Sequence, residues 1–159
     1  MARVKVLMSA ITRRAAVCTL AWLAAAPALA TGEQARAEKG KPPVAIKGFD
    51  PVAYFTLGRA VRGRAELELE WDGRRYRFSS AAHRESFRAD PLHFAPQFPD
   101  FCAMSLTRGE VVEADPEHWL IAEGKLYMFG KPVGPKLFQE RLAESVERAN
   151  RHGRLLPKP

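Results

Sequence analysis

Cysteine is scarce in this 159-residue chain: it has two, Cys18 and Cys102. It has no phosphate loop, dinucleotide fingerprint or G-x-S-x-G elbow, so the nucleotide-binding and hydrolase classes built on those motifs lose their support. Internal repeats are missing, which excludes solenoids and propellers. No apolar run reaches the roughly 20 residues that a membrane-spanning helix needs. The longest apolar run, Ala15 to Ala30, has sixteen residues and contains Pro27.

That stretch reads as an export signal. Arg3, Lys5, Arg13 and Arg14 form a positive n-region, and Ala28-Leu29-Ala30 ends the apolar run in an A-x-A cleavage pattern. Thr12-Arg13-Arg14 also carries a twin-arginine element, though only Ala15-Ala16-Val17 follow it. The expected product is a periplasmic or secreted protein with no membrane span after cleavage. Residues 1–30 hold four of the 25 Lys and Arg and none of the 18 Asp and Glu. The remainder therefore has 21 cations against 18 acids, +3 rather than +7. Much of the basicity belongs to the signal, and it argues against a nucleic-acid partner.

Cleavage would also remove Cys18, leaving Cys102 as a lone thiol in an oxidising compartment where it has no partner for a disulfide. Two-cysteine zinc signatures are then excluded. Cys102 is either a well-buried core residue or a functional one. In Phe101-Cys102-Ala103-Met104, thiol and thioether stand two residues apart. On a strand they share a side, as a soft ion such as Cu(I) requires; in a helix they point about 200° apart. His93 is the imidazole best placed to join them, between Leu92 and Phe94 and nine residues before Cys102. His83, His118 and His152 show no ligand spacing and read as satisfied polar residues. The metal-site candidates are therefore Cys102, His93 and Met104.

Residues 31–43 are rich in Glu, Lys, Ala and Gly, end in Pro42-Pro43 and read as a linker; 44–153 form one domain and 154–159 a tail. Leu67, Leu69 and Trp71 alternate with glutamates, Asp72-Gly73 turns the chain, and Tyr76 and Phe78 alternate on the return. Ser80 caps a helix to about Ala89, and Asp90-Pro91 starts another turn. A second hairpin spans Trp119 to Phe129 around Glu123-Gly124. Its strands are apolar on both faces, which places them in the middle of a sheet. After Lys131-Pro132-Val133-Gly134-Pro135, one helix is predicted over 136–151, with Phe138, Leu142, Val146 and Ala149 inward and Gly153 at its end. Asp50-Pro51, Asp90-Pro91 and Asp115-Pro116 read as caps and turns. Arg59, Arg62, Arg64, Arg74, Arg75 and Arg77, mixed with acids, read as a solvated face. The fold class is α+β: a small antiparallel sheet built from two hairpins, with short helices and a C-terminal helix packed on it.

Several strings in order resemble the small exported YHS-domain proteins of bacteria. They are Ile46 to Phe55, Trp71-Asp72-Gly73 with Tyr76 to Ser80, and Phe87 with Asp90-Pro91 and Phe94 to Phe98. Phe101-Cys102-Ala103, Asp115-Pro116 with Trp119, and Gly124 to Tyr127 follow. The resemblance implies metal handling, and in some exported members a selenocysteine aligned with Cys102. Metal-binding YHS segments resemble Y-x-F-C-S-x-x-C, where this chain has Ser79 and His83 in the cysteine positions. The two glycines and tyrosine expected before the cysteine are Pro99, Asp100 and Phe101 here, which stiffens the approach and sets a negative charge beside the thiol. Three functions remain open: soft-metal binding through Cys102, a structural or interaction domain with an inert Cys102, and a thiol-redox protein using it.

Overall fold

Chain reversals are set by paired left-handed residues. Asp72 and Gly73 have φ of 47° and 70°, and Glu123 and Gly124 have 50° and 70°. Two successive positive φ values give the tight turn whose twist matches a hairpin. In this computed structural model, which describes residues 40–156, those turns join β1 (Arg64–Trp71) to β2 (Arg74–Phe78) and β3 (Asp115–Ala122) to β4 (Lys125–Phe129). The expected signal segment, most of the expected linker and the last three residues of the chain lie outside the described residues.

The architecture is α+β. Each hairpin is its own two-stranded antiparallel sheet, β1-β2 and β3-β4. Helix α1 (Pro51–Leu57) precedes β1. Helices α2 (Ala81–Ala89), α3 (Pro91–Phe94) and α4 (Ala103–Leu106) lie between the hairpins, and α5 (Gly134–Glu140) and α6 (Leu142–Gly153) end the fold. The expected caps are present: Ser80 accepts from the His83 N–H, and Asp90 accepts from the His93 N–H.

The apolar faces of the second hairpin have a different cause from the one expected. Leu126 and Met128 enter one core cluster with Tyr54, Tyr76, Phe78 and Phe87. Tyr127 and Phe129 enter another with Cys102, Leu106 and Phe138. Alternate side chains of one strand thus serve two cores, so the hairpin is a wall between them and needs no flanking strands. In the first core Phe87 of α2 stacks on Tyr76 at 4.7 Å and on Phe78 at 5.2 Å.

The C-terminal helix is two helices rather than the single one expected. Arg141 leaves helical geometry, at φ −134° and ψ 52°. Before it, α5 sets Phe138 against Tyr127 and Phe129, at 5.1 and 5.4 Å. After it, Ala149 of α6 is fully buried in the same core. The break lets α5 pack on β3 and β4 as well as on α4, while α6 packs on α4. Gly153 is required by a close approach: a Cβ there would lie 2.6 Å from the Phe98 ring.

The solvated arginine face holds for Arg59, Arg62 and Arg64, which are exposed, and needs correction for those of β2. Arg75 is 3 % exposed; its Nη1 lies 3.2 Å from Glu68 and its Nε donates to the Pro42 carbonyl. Arg77 bonds the same Glu68 at 2.7 Å, and Arg74 pairs with Asp100. The strand register sets Arg77 across from Glu68, where the glutamate can serve both cations. Through Arg75 the end of the linker is tied to β2, because its backbone N–H also donates to Pro43.

Burial pushes the hydroxyls of Tyr54, Tyr76 and Tyr127 above the usual tyrosine range, and nearby Glu117 adds to the effect at Tyr54. A raised folded-state pKa favours the neutral phenol. Its stabilisation is therefore complete below the unfolded tyrosine value of about 10 and is lost as pH rises past it. Stability to urea should be insensitive to these groups up to about pH 9 and fall steeply above 10. Tyrosinate absorbance should appear together with unfolding; its full appearance while near-ultraviolet dichroism is unchanged would contradict the assignment.

Candidate functional site

Cys102 is the residue just before α4, with φ −72° and ψ 111°, and its N–H donates to the Val112 carbonyl at 2.8 Å. This placement differs from both geometries weighed for Cys102 and Met104. One residue is extended and the other lies in the first turn of a helix, and both line the same cavity. The cavity measures about 370 Å³. Ser105 shares its floor, Val112, Val133 and Leu137 form an apolar wall, and Arg108, Glu110 and Lys131 are charged lining residues. Gly130 completes the back: a Cβ there would stand 2.9 Å from the Glu113 carbonyl oxygen and 3.8 Å from the Cys102 Cβ.

His93 is elsewhere. It is exposed on α3, its ring 4.7 Å from Phe55 and 4.6 Å from Phe94, and it does not line the Cys102 cavity. Of its apolar neighbours, Phe94 packs on Phe55 and Leu92 is exposed, and nine residues of separation do not bring it to the thiol. His152 reaches toward this region, with Nδ1 2.7 Å from the Leu106 carbonyl at the end of α4. His118 lies 3.9 Å from Asp115.

Asp100 occupies a left-handed conformation, φ 69°, the kind of backbone that glycine adopts freely. The backbone course that Gly-Gly would permit is kept with an aspartate in place. Its carboxylate pairs with Arg74 and accepts from the Ile46 N–H at 2.6 Å. Its charge is thus met by Arg74, and the charges lining the cavity are those of Arg108, Glu110 and Lys131. Arg108 and Glu110 pair at 2.8 Å; Lys131 forms no ion pair among the described residues.

A second polar cluster was not foreseen. The Asp50 carboxylate is completely buried and accepts from the Val52 N–H at 3.0 Å, the Ser79 N–H at 2.8 Å and the Ser79 hydroxyl at 2.6 Å. His83 Nδ1 completes it at 2.6 Å. Ser79 and His83 thus both serve to satisfy an aspartate. Asp50 was legible as a cap, and the cap is real; the other three bonds come from residues about thirty positions away.

The donor chemistry limits what ion could fit. Among the described residues, no three His, Cys, Asp or Glu side chains are grouped to hold a metal. A thiol and a thioether on one cavity wall suit a soft ion of low coordination number, not the tetrahedral set a structural zinc takes. Compared with family models, curated proteins and solved structures, the chain finds no match in any of the three.

Proposed function

We propose that this chain is an exported YHS-type binding domain that holds a soft metal ion, of the Cu(I) class, through Cys102 with Met104 as second donor. The observation that carries the reading is the shared cavity: the two soft sulfur side chains line one pocket, backed by Gly130 and walled by apolar groups. A buried thiolate in such a setting is stabilised by a cation, and sulfur selects a soft one. His93 takes no part.

The test is anaerobic Cu(I) titration against a competing chelator, in a Cys18→Ser background so that Cys102 is the one thiol. Cys102→Ser should weaken binding by about two orders of magnitude and Met104→Leu by about tenfold, each tenfold being about 1.4 kcal/mol. His93→Ala should leave affinity unchanged. Equal uptake by the parent and Cys102→Ser would remove the reading.

A further inference from the structure

The Cys102 cavity is far larger than an ion needs. At about 370 Å³ it lies at the lower end of the range of small-molecule sites. It also contains a polar group with nothing to bond. Ser105 is 7 % exposed and lines the cavity, and its hydroxyl makes no hydrogen bond among the described residues. A hydroxyl on the cavity lining without a protein partner is available to bond a ligand atom. Cys102, just before α4, and Ser105, within it, both line the cavity. Val112, Val133 and Leu137 add an apolar lining, and all three are exposed to solvent. Lys131 leaves the charged lining with one cation in excess, because Arg108 is offset by Glu110.

We propose that this cavity takes a small anionic organic disulfide and that Cys102 exchanges with it, becoming S-thiolated. The Cys102 proton passes to solvent, and the thiolate attacks one sulfur of R–S–S–R. The new S–S bond of Cys102–S–S–R forms as the S–S bond of the reagent breaks, and R–S⁻ leaves and takes up a proton. Cys102 is oxidised, one half of the disulfide is reduced, and no other oxidant is needed. The retained R group fills the cavity: its carbon chain lies on Val112, Val133 and Leu137, a polar atom bonds the Ser105 hydroxyl, and its carboxylate faces Lys131. This chemistry goes beyond ion binding and does not rest on it, although both use the same sulfur and exclude each other.

The experiment uses metal-free protein in the Cys18→Ser background, treated with oxidised glutathione (anionic) or cystamine (cationic) and read by intact mass and peptide mapping. Each rate in folded protein is divided by the rate in urea-unfolded protein, which removes the intrinsic reactivity of the reagent. Folded protein should gain one glutathionyl group on Cys102, reversibly under a reducing thiol. The normalised preference for the anionic reagent should be about fivefold, the size of a single partly solvated charge contact. Lys131→Glu should abolish that preference, and Ser105→Val, which fills the floor while sparing the thiol, should slow both reagents about tenfold. A thiol that reacts with neither reagent until the protein unfolds would overturn the proposal, as would a normalised preference for cystamine. Cu(I) titration of the unmodified protein is a separate arm, so failure of either chemistry is read without the other.

Discussion

Replacing Asp50 by Ala should destabilise the fold by about 4 kcal/mol, a large part of the 5–15 kcal/mol typical of such a domain. The carboxylate is 0 % exposed and accepts four hydrogen bonds. Removing it strands the Ser79 N–H and hydroxyl and leaves His83, 17 % exposed, facing an apolar gap. It also uncaps α1, which by itself costs about 1 kcal/mol. Asp50→Asn keeps one acceptor oxygen but turns an amide donor toward groups that already donate, so about half the loss should remain. His83→Ala should cost less, about 1–2 kcal/mol, because three donors to Asp50 persist. Urea unfolding followed by circular dichroism checks all three variants. A loss under 1 kcal/mol for Asp50→Ala would mean that the carboxylate does not join α1 to the end of β2.

The second large effect is expected at Asp100. Its side chain ties Ile46 to the segment before Cys102, while its backbone carbonyl accepts from the Ala114 N–H at 2.8 Å. Ile46 and Lys47 are themselves left-handed, with φ of 51° and 50°, a conformation costing non-glycine residues about 1–2 kcal/mol each. The Asp100 bond to the Ile46 N–H helps hold them there. Asp100→Ala removes that bond and leaves the Arg74 side chain, 12 % exposed, without its carboxylate. It also keeps a Cβ at φ 69°. The loss should be about 3 kcal/mol. Asp100→Gly loses the same bonds but relieves the backbone, so it should be about 1 kcal/mol more stable than Asp100→Ala. Chemical denaturation of the pair reads the difference directly. If the glycine variant were the less stable of the two, the left-handed assignment would be wrong.

Both residues show where reading the chain ran short. Asp50 before Pro51 was legible as a cap because capping is local: the carboxylate reaches an N–H two residues on. Its bonds to Ser79 and His83 cross two elements and depend on how α1 packs beside β2. Asp100 read as a stiffening charge near the thiol. The structure turns it toward Arg74 and Ile46, 26 and 54 residues away. No spacing in the chain records those separations. The break at Arg141 was illegible for a related reason, since the apolar stripe continues through it and only the packing of α5 on the second hairpin requires the bend.

The site followed the same division. Cys102 and Met104 stood out because sulfur is rare here, and their closeness in sequence ensured closeness in space. His93 drew attention through apolar neighbours, of which Phe94 contacts Phe55 and Leu92 is exposed. Ser105, Val112, Gly130, Lys131 and Leu137 carried no signal, because none has distinctive chemistry until the chain brings it to the thiol.

By itself the sequence determined the two hairpins, their turns and the caps of α2 and α3, since alternation, paired turn residues and capping act within a few positions. It also determined that at most one thiol would remain if the leading segment is removed. Tertiary structure decided that β4 separates two cores, that Asp50 and Asp100 are satisfied from afar, and that Cys102 faces a cavity with Met104 and without His93. Those outcomes rest on burial and desolvation, which belong to groups brought together from distant parts of the chain rather than to any one stretch of it.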